Sequence, residues 1–274
     1  MKRKASKIDY SKAFLPRKRR EQFKDCFKMN FSTLIKVGMM MFVSIVPMIA
    51  FSLFMDMLYG SLVRSTEEGL RETLLIWHYG LNAGLILLSL VASLGLTGSI
   101  RILRNMIWGE GIYFKQDFFG AIKENGGKNV LFTLIFSLFY GAALFVFISF
   151  TDTVVAYVSM LLFVAILFPI YLWIIFLNNV YDSKFFVLVR NGFFFYIKTI
   201  GWSILGSIVI LLPVTFILVP IDFLAVKYGV MSVLMIFFYP TVLLIMSLYS
   251  AAKFDQYINK DQFEDYYHKG LNAD

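Results

Sequence analysis

Apolar positions along the chain gather into six long runs, approximately Val37–Leu58, Gly80–Ile100, Val130–Phe150, Val154–Phe176, Trp202–Asp222 and Val230–Ser250. Each is close to the ~20 residues that a helix needs to cross a hydrocarbon core of about 30 Å. The pattern predicts an all-α polytopic membrane bundle of six transmembrane helices. The remaining polar sequence divides the chain into a basic arm with an interfacial helix (residues 1–36), a six-span membrane domain (37–252) and a tail (253–274).

The segments before the odd-numbered runs resemble one another. Phe23 to Lys28, Phe118 to Lys123 and Phe193 to Lys198 all read F-x-x-x-[F/I]-K. Two bulky residues four apart share a helix face with the lysine beside them. This predicts short amphipathic helices lying in the membrane interface, apolar side down. Phe23, Lys28, Phe118, Lys123, Phe193 and Lys198 are the anchors. Their placement suggests three repeated two-span units. The alternative is that any helix at this surface selects Phe and Lys. In the first outer connection, Arg64 with Glu68 and Glu67 with Arg71 are spaced for i,i+4 pairs. Thr151-Asp152-Thr153 predicts a tight turn between the third and fourth runs.

Charge orients this pattern. Of 26 Lys and Arg residues, all but Arg64, Arg71 and Lys227 fall on the side of the termini, for a net charge of +8. The positive-inside rule then expects a multi-pass protein of the cell membrane with cytoplasmic N- and C-termini. Anionic headgroups of the inner leaflet fit this charge better as partner than nucleic acid does. The first run is too long for a signal-peptide core and predicts an uncleaved anchor. The composition agrees, with 59% hydrophobic residues and a mean hydropathy of +0.71, against about 45–50% apolar residues in soluble domains.

Candidate chemistry is sparse. The single cysteine, Cys26, excludes an intramolecular disulfide and a multi-cysteine metal site. It reads as an inert thiol, with juxtamembrane palmitoylation as the alternative. His78, between Trp77 and Tyr79, reads as part of an interfacial aromatic belt. No catalytic, nucleotide-binding or metal motif is expected, and no cofactor is implied. The middle turns of the runs hold no ionisable group except tyrosines such as Tyr140, which argues against an ion-coupled carrier. Pro47, Pro169, Pro213 and Pro240 fall within the runs, shaping the bundle or lining a cavity. Gly80, Ala83, Gly84, Gly95 and Gly98 in the second run allow close helix contact, within the bundle or between copies. Asn178, Asn179, Asp182 and Lys184 are the one dense polar group at an inner boundary, read as a helix cap rather than a lipid-modifying site.

The most distinctive polar segment runs from Gly98 to Phe119. Arg101 and Arg104 share a helix face, Gly109 suits a helix C-cap, and Phe114 opens the next helix. Arg101, Arg104, Glu110 and Lys123 form a candidate elbow, either fixing the turn or docking a cytosolic partner. On Gly98, Arg101, Arg104, Gly109, Glu110, Phe114, Phe118 and Lys123, the chain resembles the YesL-like family of uncharacterised bacterial integral membrane proteins, mainly of Firmicutes. It departs from that pattern in its basic arm, Met1–Asn30, and in Glu67 and Glu68. The resemblance implies a non-enzymatic accessory or regulatory component linked to carbohydrate uptake or sensing, with a sugar transporter or sensor subunit as partner. It supplies no catalytic residue. A small-solute transporter or channel is the alternative.

Overall fold

The computed structural model describes residues 15–65, 70–150, 153–218 and 224–272. Those residues are predominantly helical, with no strand among them. In order the helices are α1 (Arg19–Met29), α2 (Phe31–Ser65), α3 (Leu70–Ile107), α4 (Phe114–Ser149), α5 (Val154–Leu162), α6 (Phe168–Val180), α7 (Phe185–Lys198), α8 (Ile200–Leu218), α9 (Leu224–Val233), α10 (Tyr239–Phe254) and the short α11 (Lys260–Gln262). π turns at Phe163–Leu167 and Leu234–Phe238 fuse α5 to α6 and α9 to α10.

Five segments are long and apolar enough to cross a membrane: Phe31–Tyr59, Leu75–Ile107, Phe114–Ser149, Val154–Val180 and Val226–Gln262. A sixth passes only as the pair α7–α8, bent by 104°. Parity decides how to count it. The Asn272 amide donates to the Pro16 carbonyl at 3.0 Å, so both described ends lie at one end of the bundle and the crossings must be even. The protein is therefore a six-crossing membrane bundle, with α8 as the fifth crossing and α7 turned almost perpendicular to it.

Helix ends follow local chemistry. At the end of α3, Gly109 has φ +66, its amide donates to the Met106 carbonyl, and the Glu110 amide donates to the Asn105 carbonyl. This is the Schellman arrangement, which needs a residue tolerant of left-handed backbone. The Thr153 hydroxyl accepts from the Ala156 amide and starts α5. The expected turn residues Thr151 and Asp152, and the pairs involving Glu67 and Glu68, lie outside the described residues.

The separate interfacial helices predicted from the Phe/Lys motif are present before the first and fifth crossings, as α1 and α7. Before the third there is none, because α4 runs unbroken for 36 residues through Lys123 into the membrane segment. No proline or positive-φ glycine interrupts it, and Gly126 and Gly127 stay helical. The motif thus marks a common position along the chain but not a common local structure.

These two π turns, unlike a third at Asp255–Asn259, end at an aromatic–proline pair, Phe168-Pro169 and Tyr239-Pro240. Proline lacks the amide proton and its ring clashes with the carbonyl four residues back, so a wider turn relieves the conflict. For Pro240 that carbonyl belongs to Ile236. It faces Gly38 of α2 so closely that a Cβ there would strike the carbonyl oxygen. Gly38→Val is accordingly expected to force α2 off the π turn. The cost is about 3 kcal/mol, at the upper end for overpacking because the obstacle is backbone; a thermal unfolding curve in detergent measures it. The small residues of α3 point into the bundle likewise: Gly84 lies against the Phe51 ring, Gly95 against Ser44 and Gly98 against the Phe118 ring.

Candidate functional site

The polar chemistry forms three layers, the first at the end where the chain termini meet. There α1, the end of α3 and the tail after α10 interlock. The Arg19 Nη2 donates to Asp255 at 2.6 Å. The Gln22 Nε2 donates to the carbonyls of Ile107 at 2.6 Å and Gly270 at 2.8 Å, capping a carbonyl that α3 leaves free at its end. The Asp255 carboxylate also accepts from the Asn259 side chain, and the Tyr181 hydroxyl donates to Asn259. The Trp108 ring lies between two cations, Arg104 at 4.5 Å and Lys269 at 4.3 Å from its centroid.

The four elbow residues sit at this end but do not converge. Glu110 pairs with Lys269 of the tail at 2.6 Å. Arg101 is buried and pairs with Glu124 at 2.6 Å. Arg104 donates to the Asn179 carbonyl at 2.8 Å. Lys123 is exposed. Arg101, Arg104 and Glu110 are thus engaged by the chain itself. The interfacial anchors divide in the same way. Phe193 and Ile197 stand 51% and 56% exposed on one face of α7, and Lys28 of α1 is exposed while Phe23 is half-buried. Phe118, at 3% exposure, faces inward beneath Gly98. Trp77 also turns inward, its indole donating to the Met55 carbonyl at 3.0 Å; its edge-on contact with His78 stands in place of an outward-facing belt.

Cys26 is buried in α1 with its thiol 3.8 Å from the Met106 carbonyl. Burial first and the neighbouring Asp25 second push its pKa up to about 11, against a smaller opposing pull from Arg19. The thiolate is the reactive form, so the thiol stays protonated and sluggish through pH 9. Maleimide labelling of the folded protein at pH 7.5 is expected to proceed more than tenfold slower than in denaturant. Equal rates would show an accessible thiol.

The second layer is a ladder of amides and hydroxyls joining α3, α4 and α6. The Asn178 Nδ2 donates to Asn129 Oδ1 at 2.7 Å, the Asn129 Nδ2 donates to Thr97 Oγ1 at 2.8 Å, and Thr133 meets the Tyr171 hydroxyl at 2.9 Å. Such bonds hold membrane helices together. Asn178 and Asn179 are consumed by packing, whereas Asp182 is 99% exposed on the side-chain scale and pairs with Lys128. The polar group after the fourth run therefore does not gather around one open site.

The third layer lies at the opposite end. Lys227 of α9 is fully buried and donates to Asp56 of α2 at 2.6 Å, with Asp56 7% exposed. The Tyr228 hydroxyl donates to Asp56 at 2.8 Å and lies 3.0 Å from the Ser52 hydroxyl. In sequence Asp56 stands near the end of the first apolar run and Lys227 in the last outer connection; the pairing across 171 positions joins them.

Between these layers lies a half-open cavity of about 260 Å³. All six crossings line it, for example through Met41, Leu85, Phe136, Val164, Ile210 and Tyr239. Its walls are apolar apart from a few hydroxyls. Ser89, Ser93 and Thr133 donate to carbonyls of their own helices. Among the described residues no group of three His, Cys, Asp or Glu side chains could hold a metal ion.

No protein family, curated protein or solved structure matches the chain. The geometry therefore carries the functional reading, together with the residues of the elbow.

Proposed function

We propose that this multi-pass membrane protein resides in the cell membrane with both termini cytoplasmic. There it works as a non-enzymatic accessory or regulatory component through another membrane protein, linked to carbohydrate uptake or sensing. The observation that carries the partner-based reading is the apolar lining of the cavity. A sugar loses several water hydrogen bonds on entering such a space, and each unreplaced one costs on the order of 1–3 kcal/mol. The hydroxyls of Ser89, Ser93 and Thr133 already serve backbone carbonyls. A carbohydrate role for this chain thus runs through a partner. The carbohydrate link itself rests on the YesL-like resemblance of the Gly98–Lys123 segment. The same lining weighs against the alternative of a channel or carrier for polar solutes. Affinity purification in mild detergent, at native expression, is expected to recover a transporter or sensor subunit with the chain. Recovery of the chain alone would contradict the proposal.

A further inference from the structure

The cavity has features that packing alone does not explain. The protein interior is normally filled to crystal-like density, and a void forfeits dispersion contacts along every wall. Here the walls come from all six crossings, and one π turn borders the space directly while the residue after another also lines it. Phe163 and Val164 belong to the first turn, and Tyr239 directly follows the second. π turns are frequent at functional sites because they displace side chains that a regular helix would stack. Tyr140 and Tyr239 line the same space. The Tyr171 hydroxyl is satisfied by Thr133 at 2.9 Å. Neither Tyr140 nor Tyr239 has a hydrogen-bond partner among the described residues, although Tyr239 is only 7% exposed. The neighbouring Tyr171 hydroxyl is already committed to Thr133, so a ligand oxygen would supply the acceptor that the Tyr239 hydroxyl lacks.

We infer that the cavity binds one small lipophilic molecule with an apolar body and a single hydrogen-bonding oxygen, which accepts from the Tyr239 hydroxyl. The size is bounded. The volume of about 260 Å³ exceeds the engineered apolar cavities of about 150 Å³ that take up benzene. At about 30 Å³ per water-sized group, it accommodates roughly nine non-hydrogen atoms. A medium-chain alcohol has this size and chemistry. The inference is independent of the carbohydrate reading, since it concerns what the bundle itself holds rather than what it joins.

The test uses the full chain in phosphatidylcholine vesicles with a diazirine-bearing octanol as photolabel, adducts being located by peptide mass spectrometry. Saturable labelling is expected at cavity residues such as Phe163 and Val164. Unlabelled 1-octanol should compete about tenfold better than octane at equal membrane concentration, the effect of roughly one net hydrogen bond. Tyr239→Phe keeps the shape and removes the donor, and should bring the two competitors within twofold of each other. Ala92→Leu, which grows into the space, should abolish cavity labelling while the unfolding midpoint holds. Non-saturable labelling confined to outward-facing residues such as Leu138 and Leu161 would overturn the proposal. So would equal competition by octane and octanol in the unmodified protein, a measurement that needs no variant to fold.

Discussion

Asp56→Asn is expected to be the most damaging conservative change in the molecule. It keeps the shape of the side chain but leaves the Lys227 ammonium, fully buried, without a counter-charge. Stripping one partner from a buried ion pair costs about 3–5 kcal/mol, because the remaining charge is held away from water and pairs with no other anion among the described residues. At about 2–4 °C per kcal/mol for a chain of this size, the unfolding midpoint in detergent should fall by roughly 10 °C. The double variant Asp56→Asn with Lys227→Met removes both charges and should recover most of the loss. Tyr228, which donates to Asp56 in the native protein, retains an acceptor in the amide oxygen of asparagine. A single variant as stable as the parent would show that the pair is solvated and does not fasten α2 to α9.

The second large effect is expected at the opposite end. Arg19→Ala removes the guanidinium that meets Asp255 at 2.6 Å and reaches Gln22 at 2.7 Å. The Asp255 carboxylate then keeps Asn259 and the His268 amide, but no cation. The tail should loosen from α1 first, because its other ties, Gln22 with Gly270 and Lys269 with Glu110, are individually modest. Limited proteolysis reads this directly. Cleavage between Phe263 and Leu271 is expected to speed up at least tenfold, with the membrane segments intact. Gly270→Ala should do the same through another route. Gly270 holds φ +79 and lies so close to the Ile107 carbonyl that a Cβ would strike its oxygen. An unchanged digestion pattern in both variants would mean that the tail is held by something else.

The parts of the fold that were readable from sequence are those set by local composition. Six apolar runs demand six crossings because unpaired backbone groups are not tolerated in hydrocarbon, and Gly109 announces its own cap. Phe193 and Ile197 on one face, with Lys198 beside them, mark α7 as an interfacial helix. What was not readable depends on contacts distant in sequence. Asp56 and Lys227 each look like span-end charges until α2 and α9 come together. Phe118 carries the same motif as Phe193, yet Gly98 opposite it leaves room for a ring, so one turns inward and the other outward. Glu110 and Arg101 read equally well as free docking groups or as internal ties, and only Lys269 and Glu124 decide between these. The Asn129–Asn178 bond gave no periodic signal because a single amide inside an apolar stretch resembles any tolerated polar residue. The π turns had a usable sign, an aromatic residue directly before proline in the fourth and sixth crossings, since proline must free a carbonyl there.

The six-crossing bundle with both ends on one side rests on the parity set by the Pro16–Asn272 contact and on α8 passing through the membrane. Cysteine-accessibility mapping in intact cells tests it most directly. In a Cys26→Ala background, single cysteines at Lys28, Thr153, Lys198, Val226 and Lys260 are treated with a membrane-impermeant maleimide. Labelling at positions 153 and 226 without permeabilisation, and at 28, 198 and 260 only after it, is the expected result. Protection at 226 with labelling at 260 in intact cells would mean that α8 turns back instead of crossing, and would contradict the bundle described above.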